Sequence, residues 1–198
     1  MFQKEITKEE INELPLRKYE GEIELATEDD HQREIFEELA RHEVVGFDTE
    51  TKPAFKRGVR HEVSLIQLAV PNKVFLIRLN HTGFTPELAA LFADQQIRKV
   101  GISIKDDLRH LARLADHHRI GFDPEHILDL NDTAKQLNVP HMGVKKLTAI
   151  FLGFRVSKAQ QTSNWENPTL TEQQQRYAAT DAWVCLEIYQ HLVRLGYL

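Results

Sequence analysis

Four acidic residues and one tyrosine are the side chains of this sequence best suited to chemistry. They are Asp48 and Glu50 in VVGFDTET, Asp107 in VGISIKDDLRHL, and Tyr177 and Asp181 in RYAATDAW. Each acid lies at the end of an apolar run or on a strongly patterned helix. Hard oxygen ligands, with few histidines or thiols among them, suit Mg²⁺ or Mn²⁺ rather than zinc. Because a pair of such ions can hydrolyse phosphodiester bonds, the residues indicate a metal-dependent nuclease.

Asp48 and Glu50 form a D-x-E pair in an extended segment. Residues two apart on a strand project from the same face, so both carboxylates point the same way. Two carboxylates side by side can bridge or share divalent ions. An exposed acidic strand end has the same pattern, and D-x-E alone does not separate the two interpretations.

The third acid is ambiguous because Asp106 and Asp107 are adjacent. On the expected helix, Asp107 lies one turn before Leu111, on the inward flank. Asp106 aligns instead with Arg109 on the polar flank. The pattern therefore predicts Asp107 as the metal ligand and Asp106 as a cap or surface acid.

Tyr177 and Asp181 are i, i+4 neighbours on a long helix, so they share one face. That face continues as an apolar stripe through Cys185 and Ile188. An aspartate on a core-facing stripe is costly to bury alone, so we expect a metal ion or a basic residue opposite it. Tyr177 also fits a core tyrosine with a bonded hydroxyl, and Cys185 fits a small buried residue.

The composition is that of a soluble single-domain protein. The chain has 198 residues, of which 41% are hydrophobic and 28% are charged. It has one cysteine, which permits no internal disulfide and favours a reducing compartment. The polar start MFQKEITKEEINELP does not fit a secretory signal, and no apolar run approaches the ~18 residues of a membrane span. We therefore expect a cytoplasmic protein.

The net charge of −5 argues at first against a nucleic-acid partner. Net charge describes long-range behaviour, however, and bound divalent ions would reverse the sign near the acids. Basic residues also flank the acidic motifs, at Lys52, Lys56, Arg57 and Arg60 and again at Lys145, Lys146, Arg155 and Lys158. Both clusters fit either solvated loops or a nucleic-acid surface.

Five residues near the acids are candidates for substrate contacts. They are Thr49, Lys52, Arg57, Lys145 and Trp165. Trp165 lies in the polar loop SNWENP, where an indole can stack on a base or anchor the loop to the domain.

The apolar runs and their caps predict an α/β domain. Strands are expected at 43–48, 63–70, 73–79, 99–102 and 127–130, and helices at 28–41, 86–92, about 104–118, 132–137, 143–152 and 171–195. The short Pro71-Asn72 connection predicts an antiparallel hairpin. Ser103 with Asp106, and Thr171 with Gln174, have the spacing of capping boxes. We expect residues 1–25 to be an N-terminal extension and residues 26–198 to form one domain.

Taken together, these segments resemble the DEDD superfamily of 3′–5′ exonucleases. The similarity runs through VVGFDTET, VSLIQLAV, KVGISIKDDLRHL, VKKLTAIFLG and SNWENPTLTEQQQRYAATDAW. The sister branch has histidine five places before the last aspartate, where this chain has Arg176. Tyr177, four places before it, indicates the tyrosine (DEDDy) branch. The chain is similar to the exonuclease domain of the Werner syndrome helicase and, more distantly, to ribonuclease D.

The resemblance implies a ribonuclease-H-like (DnaQ-like) fold with a five-stranded mixed sheet, an antiparallel second strand and helices on both faces. It also implies that 26–198 is an exonuclease domain that releases nucleoside 5′-monophosphates from the 3′ end.

The resemblance further assigns roles around two Mg²⁺ or Mn²⁺ ions. Asp48, Glu50 and Asp181 would ligate the first metal. Asp48 would bridge to the second, and Asp107 would hold that metal through water. Tyr177 would orient the attacking water, because a phenol with a pKa near ~10 does not readily deprotonate it.

Three functions stay open at this point. The resemblance favours DNA as the substrate, and trimming of RNA 3′ ends is the alternative within the same chemistry, since contacts to a 2′-hydroxyl would decide between them. A non-catalytic nucleic-acid-binding module is the alternative from another class, although such a module need not keep all four acids. The sequence does not identify a helicase or repair partner, or the oligomeric state.

Overall fold

The computed structural model describes residues 2–56, 58–140 and 142–198, except for the side chains of residues 29–31. The elements in chain order are α1 (Lys8–Glu13), β1 (Glu22–Ala26), α2 (Asp29–Leu39), β2 (Val44–Thr51), β3 (Val63–Val70), β4 (Lys73–Ile77), α3 (Leu79–Thr82), α4 (Pro86–Ala93), β5 (Arg98–Gly101), α5 (Lys105–His117), β6 (Ile127–Asp129), α6 (Leu130–Gln136), α7 (Val144–Leu152) and α8 (Glu172–Arg194).

The strands form one mixed sheet in the order β1-β4-β3-β2-β5-β6. Strand β3 is antiparallel to both of its neighbours, β2 and β4, and the other pairings are parallel. The predicted hairpin at Pro71-Asn72 is therefore confirmed.

Helices cover both faces of the sheet, as the α/β prediction requires. On one face, Leu88 of α4 and Leu111 of α5 pack in the same cluster as Phe47 of β2. On the other face, Ala182 of α8 packs with Leu65 of β3. The ribonuclease-H-like fold class is confirmed.

The prediction of five strands was wrong, because β1 adds a sixth at the sheet edge. The segment EIELA alternates charged and apolar residues and is half-exposed, so it lacks the apolar run that identified the other strands. Lys73 of β4 lies 2.5 Å from Glu24 and 3.4 Å from Glu22, which ties this edge strand to its neighbour. The domain boundary expected after residue 25 falls inside β1.

One predicted capping box was confirmed and the other was wrong. Thr171 and Gln174 form the reciprocal bonds at the start of α8. Ser103 instead adopts a left-handed backbone with φ of 66°, and α5 begins after Ile104 with no side-chain cap bond. Ser103 therefore lies before the cap position, and its hydroxyl instead accepts a hydrogen bond from Asn131 Nδ2 at 2.7 Å.

Helix α8 crosses β2 at close range, and Gly46 makes this approach possible. A Cβ at Gly46 would overlap the carbonyl oxygen of Ala182 and would lie 2.9 Å from the nitrogen of Leu186. Because Ala182 follows Asp181, the contact places Asp181 beside the carboxyl end of β2.

Among the described residues, no helix combines the length and the apolar content needed to cross a bilayer.

Candidate active site

Three elements distant in sequence meet at the carboxyl end of β2 and supply the predicted acids. Strand β2 provides Asp48 and Glu50, α5 provides Asp107, and α8 provides Tyr177 and Asp181. The β2–β3 register shifts between Glu50 and Thr51, and irregularities of this kind redirect side chains at the ends of strands.

Asp48, Glu50 and Asp181 come together as a carboxylate cluster. One oxygen of each lies within 4.8 Å of the others. Asp48 and Glu50 are half-buried, whereas Asp181 is only 6% exposed. The structure thus brings together three of the four acids that the sequence predicted as metal ligands.

Burial and mutual repulsion disfavour full ionisation of this cluster. Burial, and then the charges of Asp107, Asp181 and Glu50, raise the pKa of Asp48 well above its usual range. Burial, followed by the charges of Asp181 and Asp107, raises the pKa of Glu50 to about 9. Closely spaced carboxylates with only hard oxygen donors fit a divalent cation, which would favour their charged forms. The cluster therefore indicates the use of divalent metal ions.

Burial also raises the pKa of Asp181, to about 7. A hydrogen bond from Tyr177 and the positive charge of Lys158 oppose this rise. Lys158 is therefore close enough to act on the acids. The sequence placed it in a basic cluster but not among the site residues, because no motif marks a lysine in the loop after α7.

Asp107 lies beside the cluster, and Thr49 holds it in place. The Thr49 hydroxyl donates a short hydrogen bond to Asp107 Oδ1. The charge of Asp107 is the largest charge effect that raises the pKa of Asp48. Asp106, by contrast, has a side chain that is 72% exposed and an ion pair of 2.6 Å with Arg109, as the helical pattern predicted.

The phenol of Tyr177 stays protonated at neutral pH. Burial and the charges of Asp181 and Glu50 raise its pKa above the usual value, and its hydroxyl is hydrogen-bonded to Asp181. Its ring centroid lies 6.0 Å from that of Trp165. Tyr177 can therefore donate a hydrogen bond at the cluster but cannot act there as a base near pH 7.

The acids open into a cavity of about 430 Å³, here called the acidic cavity. Its lining includes Asp48, Glu50, Asp181, Met142, Lys145 and Lys158. Lys145 thus lies where the sequence predicted a substrate contact. Met142 is 45% exposed and was not predicted, since a single methionine in a polar loop gives no signal.

The remaining predicted substrate contacts have different positions. Lys52 lies outside the acidic cavity, with its Nζ 2.8 Å from Glu166 Oε2. Trp165 is fully buried, so the prediction that it stacks on a base was wrong, and it anchors its loop instead. Its carbonyl accepts a hydrogen bond from the buried Arg78 at 3.4 Å. Arg57 lies outside the described residues.

Asp129 and Asn131 connect two walls of the acidic cavity. The Asp129 carboxylate accepts hydrogen bonds from the backbone nitrogens of Ser103 and Asn131, the second of which caps α6. Asn131 donates to Ser103 Oγ at 2.7 Å and accepts from the nitrogen of Gly143 at 3.0 Å. Its side chain therefore fixes the start of α5 relative to the start of α7. The sequence did not single out Asn131.

Comparison with known proteins agrees with this geometry. Residues 23–196 match the family described as 3′–5′ exonuclease. The chain is 34% identical over 193 residues to the bifunctional 3′–5′ exonuclease/ATP-dependent helicase WRN of Mus musculus, a match that covers 92% of this chain and 13% of that protein. The chain thus spans only a small part of the length of this curated relative.

Two solved structures share the fold. The Aedes aegypti Nibbler EXO domain superposes with a TM-score of 0.78 at 26% identity, covering 91% of this chain and 93% of that one. Escherichia coli RNase D, described as an exoribonuclease involved in structured RNA processing, has a TM-score of 0.76 at 23% identity. That match covers 89% of this chain and 46% of the RNase D chain.

Proposed function

This chain belongs to the 3′–5′ exonuclease family, and from that premise we propose that it removes nucleotides one at a time from the 3′ end of a DNA strand, using two divalent metal ions. The main supporting observation is the convergence of Asp48, Glu50 and Asp181, with oxygens within 4.8 Å of one another. Nucleic acid is the partner that the family implies.

The ligand types favour Mg²⁺ or Mn²⁺. Asp48, Glu50 and Asp181 would hold one ion, and Asp48 with Asp107 would hold the other, because the charge of Asp107 acts on Asp48 and Thr49 donates a hydrogen bond to Asp107. Bound ions of this kind supply Lewis-acid activation of water and offset the charge that builds up on phosphate.

The protein's own residues orient the substrate and the attacking water. Tyr177 keeps its proton and donates a hydrogen bond to Asp181, so its Oη can accept a hydrogen bond from the attacking water and fix the direction of that water. Lys145 and Lys158 line the same cavity and offer ammonium groups to the terminal phosphate. Asn131 keeps the cavity walls at a fixed separation through its two hydrogen bonds.

DNA is proposed over RNA because the chain is 34% identical to an exonuclease joined to a helicase, the resemblance that favoured DNA from the sequence. The RNA alternative rests on the described activity of RNase D. A direct comparison of substrates separates these two proposals.

The test is digestion of 5′-labelled single-stranded DNA and RNA of the same sequence, with Mg²⁺, Mn²⁺ or chelator. We expect a metal-dependent ladder that shortens one nucleotide at a time from the 3′ end, and faster cleavage of DNA. Asp181→Asn should abolish the ladder, whereas the matched control Asp106→Asn, on the exposed flank of α5, should leave it intact. A ladder unaffected by Asp181→Asn would refute the assignment of the site, and a single internal cut would refute the exonuclease polarity.

A further inference from the structure

We propose a second nucleic-acid contact, a basic groove beside the acidic cavity that binds the phosphate backbone of the same strand upstream of the cleaved bond. The inference rests on the proposed function, since it concerns where the rest of the substrate lies. The basic groove is defined by its charged and titratable lining residues, Lys52, Arg60, His61, Arg109, His110 and Arg113.

The basic groove adjoins the acids on two sides. One wall is the segment that leaves β2 at Thr51, directly after Glu50. The other wall is the outer flank of α5, the helix whose first turn contains Asp107. His110 follows Asp107 by three residues on α5, so the two side chains are neighbours on the helix. A strand with its 3′ end at the acids can therefore continue directly into the groove.

The groove is positively charged although the whole chain has a net charge of −5. Among the described residues, all the titratable side chains that line it are basic. The acids closest to the groove contact its basic residues but do not line it. Glu166 contacts Lys52 at 2.8 Å and His61 at 3.0 Å, and Asp106 pairs with Arg109.

Arg60 and Arg113 are the residues with charge available for a ligand. Both are exposed, and neither forms an ion pair with any residue that the structure describes. They approach the groove from opposite walls, one from the loop after β2 and one from α5. Two unpaired guanidinium groups facing one trough suit consecutive phosphates, which guanidinium binds with two parallel hydrogen bonds.

The groove also has an apolar edge. Ala54 lines it, and the neighbouring Phe55 is 86% exposed. An exposed aromatic ring beside basic residues is a suitable platform for an unstacked base. The volume of about 410 Å³ accommodates a short piece of one strand, so we infer a single strand as the occupant.

The experiment compares a long and a short substrate. The double variant R60Q/R113Q removes both free charges. R33Q/R41Q is the matched control, because Arg33 in α2 and Arg41 just after it are exposed and outside the groove. Cleavage of a 12-nucleotide single strand is measured beside cleavage of a dinucleotide, which is too short to reach the groove. In parallel, anisotropy of the labelled 12-mer measures binding in chelator, where no cleavage is needed.

We expect R60Q/R113Q to lower kcat/KM on the 12-mer by roughly tenfold or more and to leave the dinucleotide unchanged. The slope of log Kd against log salt should fall by about 1.4, since each lost phosphate contact on a single strand removes ~0.7. The control should behave like the wild type on both substrates.

An equal loss on both substrates, or no loss on the 12-mer, would overturn the proposal. If the wild type cleaves neither substrate, the proposed exonuclease function fails, and the binding measurement still decides about the groove. Weaker binding by R60Q/R113Q alone would then support the groove, and equal binding by all three proteins would refute it. The single variants R60Q and R113Q provide the same test if the double variant is unstable.

Discussion

Removing one acid of the cluster should stabilise the metal-free protein and abolish its stabilisation by metal. The change is Asp181→Asn, which keeps the size of the side chain and an oxygen that can accept the hydrogen bond from Tyr177. The carboxyl of Asp181 is 6% exposed and shares its surroundings with Asp48 and Glu50. Its charged form is therefore unfavourable in the folded state unless a cation is bound.

The magnitude follows from the pKa of Asp181. Burial raises it from the ordinary 3.8 to about 7, a difference that corresponds to about 4 kcal/mol. Between these two pH values the folded state binds more protons than the unfolded state, so stability decreases as the pH rises, and the full cost is present above pH 7. Burying the new amide also has a cost, which offsets part of this difference. We therefore expect the free energy of unfolding of the variant to exceed that of the wild type by about 2 kcal/mol at pH 8 in chelator.

The assay is urea unfolding followed by circular dichroism, in chelator at pH 4 to 8 and again with Mn²⁺ at pH 8. In chelator, the free energy of unfolding of the variant should increase relative to that of the wild type as the pH rises. With Mn²⁺ at about 100 times its Kd, the wild type should gain about 2.7 kcal/mol, and the variant much less. A stability difference that is constant from pH 4 to 8, or equal stabilisation of both proteins by Mn²⁺, would refute this account of the cluster.

Four other variants test separate parts of the structure. Tyr177→Phe should lower kcat on a single-stranded oligonucleotide by less than Asp181→Asn does, because the carboxylates remain; unchanged kcat would limit Tyr177 to packing. Asp107→Ala should abolish cleavage in the same assay while Asp106→Ala retains it, and the reverse order would contradict the orientation of α5. Burial lowers the pKa of Lys99 to about 8, so stability should rise with pH between 8 and 10 as the unfolded state alone holds that proton. In urea unfolding, the free energy of unfolding of the wild type should increase by about 2 kcal/mol relative to that of Lys99→Met over this range. Parallel pH curves for the two proteins would contradict this prediction.

The sequence predicted the elements whose apolar pattern reflects burial in the sheet. The segments at β3 and β4 are almost wholly buried, so their apolar runs were visible without a structure. Strand β1 was missed because an edge strand buries only part of its surface. Ser103 was misassigned because its backbone is left-handed and α5 begins after Ile104, while its hydroxyl contacts Asn131, a long-range partner that local capping patterns do not contain.

The predicted site was better defined for ligand types than for substrate contacts. Carboxylates on one strand face or one helix face have a fixed spacing, so D-x-E and Y-x-x-x-D were recognisable, and the fold brings them together. Lys158, Asn131 and the buried state of Trp165 depend on how loops pack against the sheet. Such packing is set by contacts between distant segments and leaves no short-range pattern.

The close crossing of α8 over β2 at Gly46 also bears on how the protein matures. More than a hundred residues separate the two acids of β2 from Asp181, so this contact belongs to the long-range class that forms slowly. During translation the early strands can fold while α8 is still unmade. A growing polypeptide therefore holds an incomplete set of ligands, and hydrolysis has to await the arrival of α8.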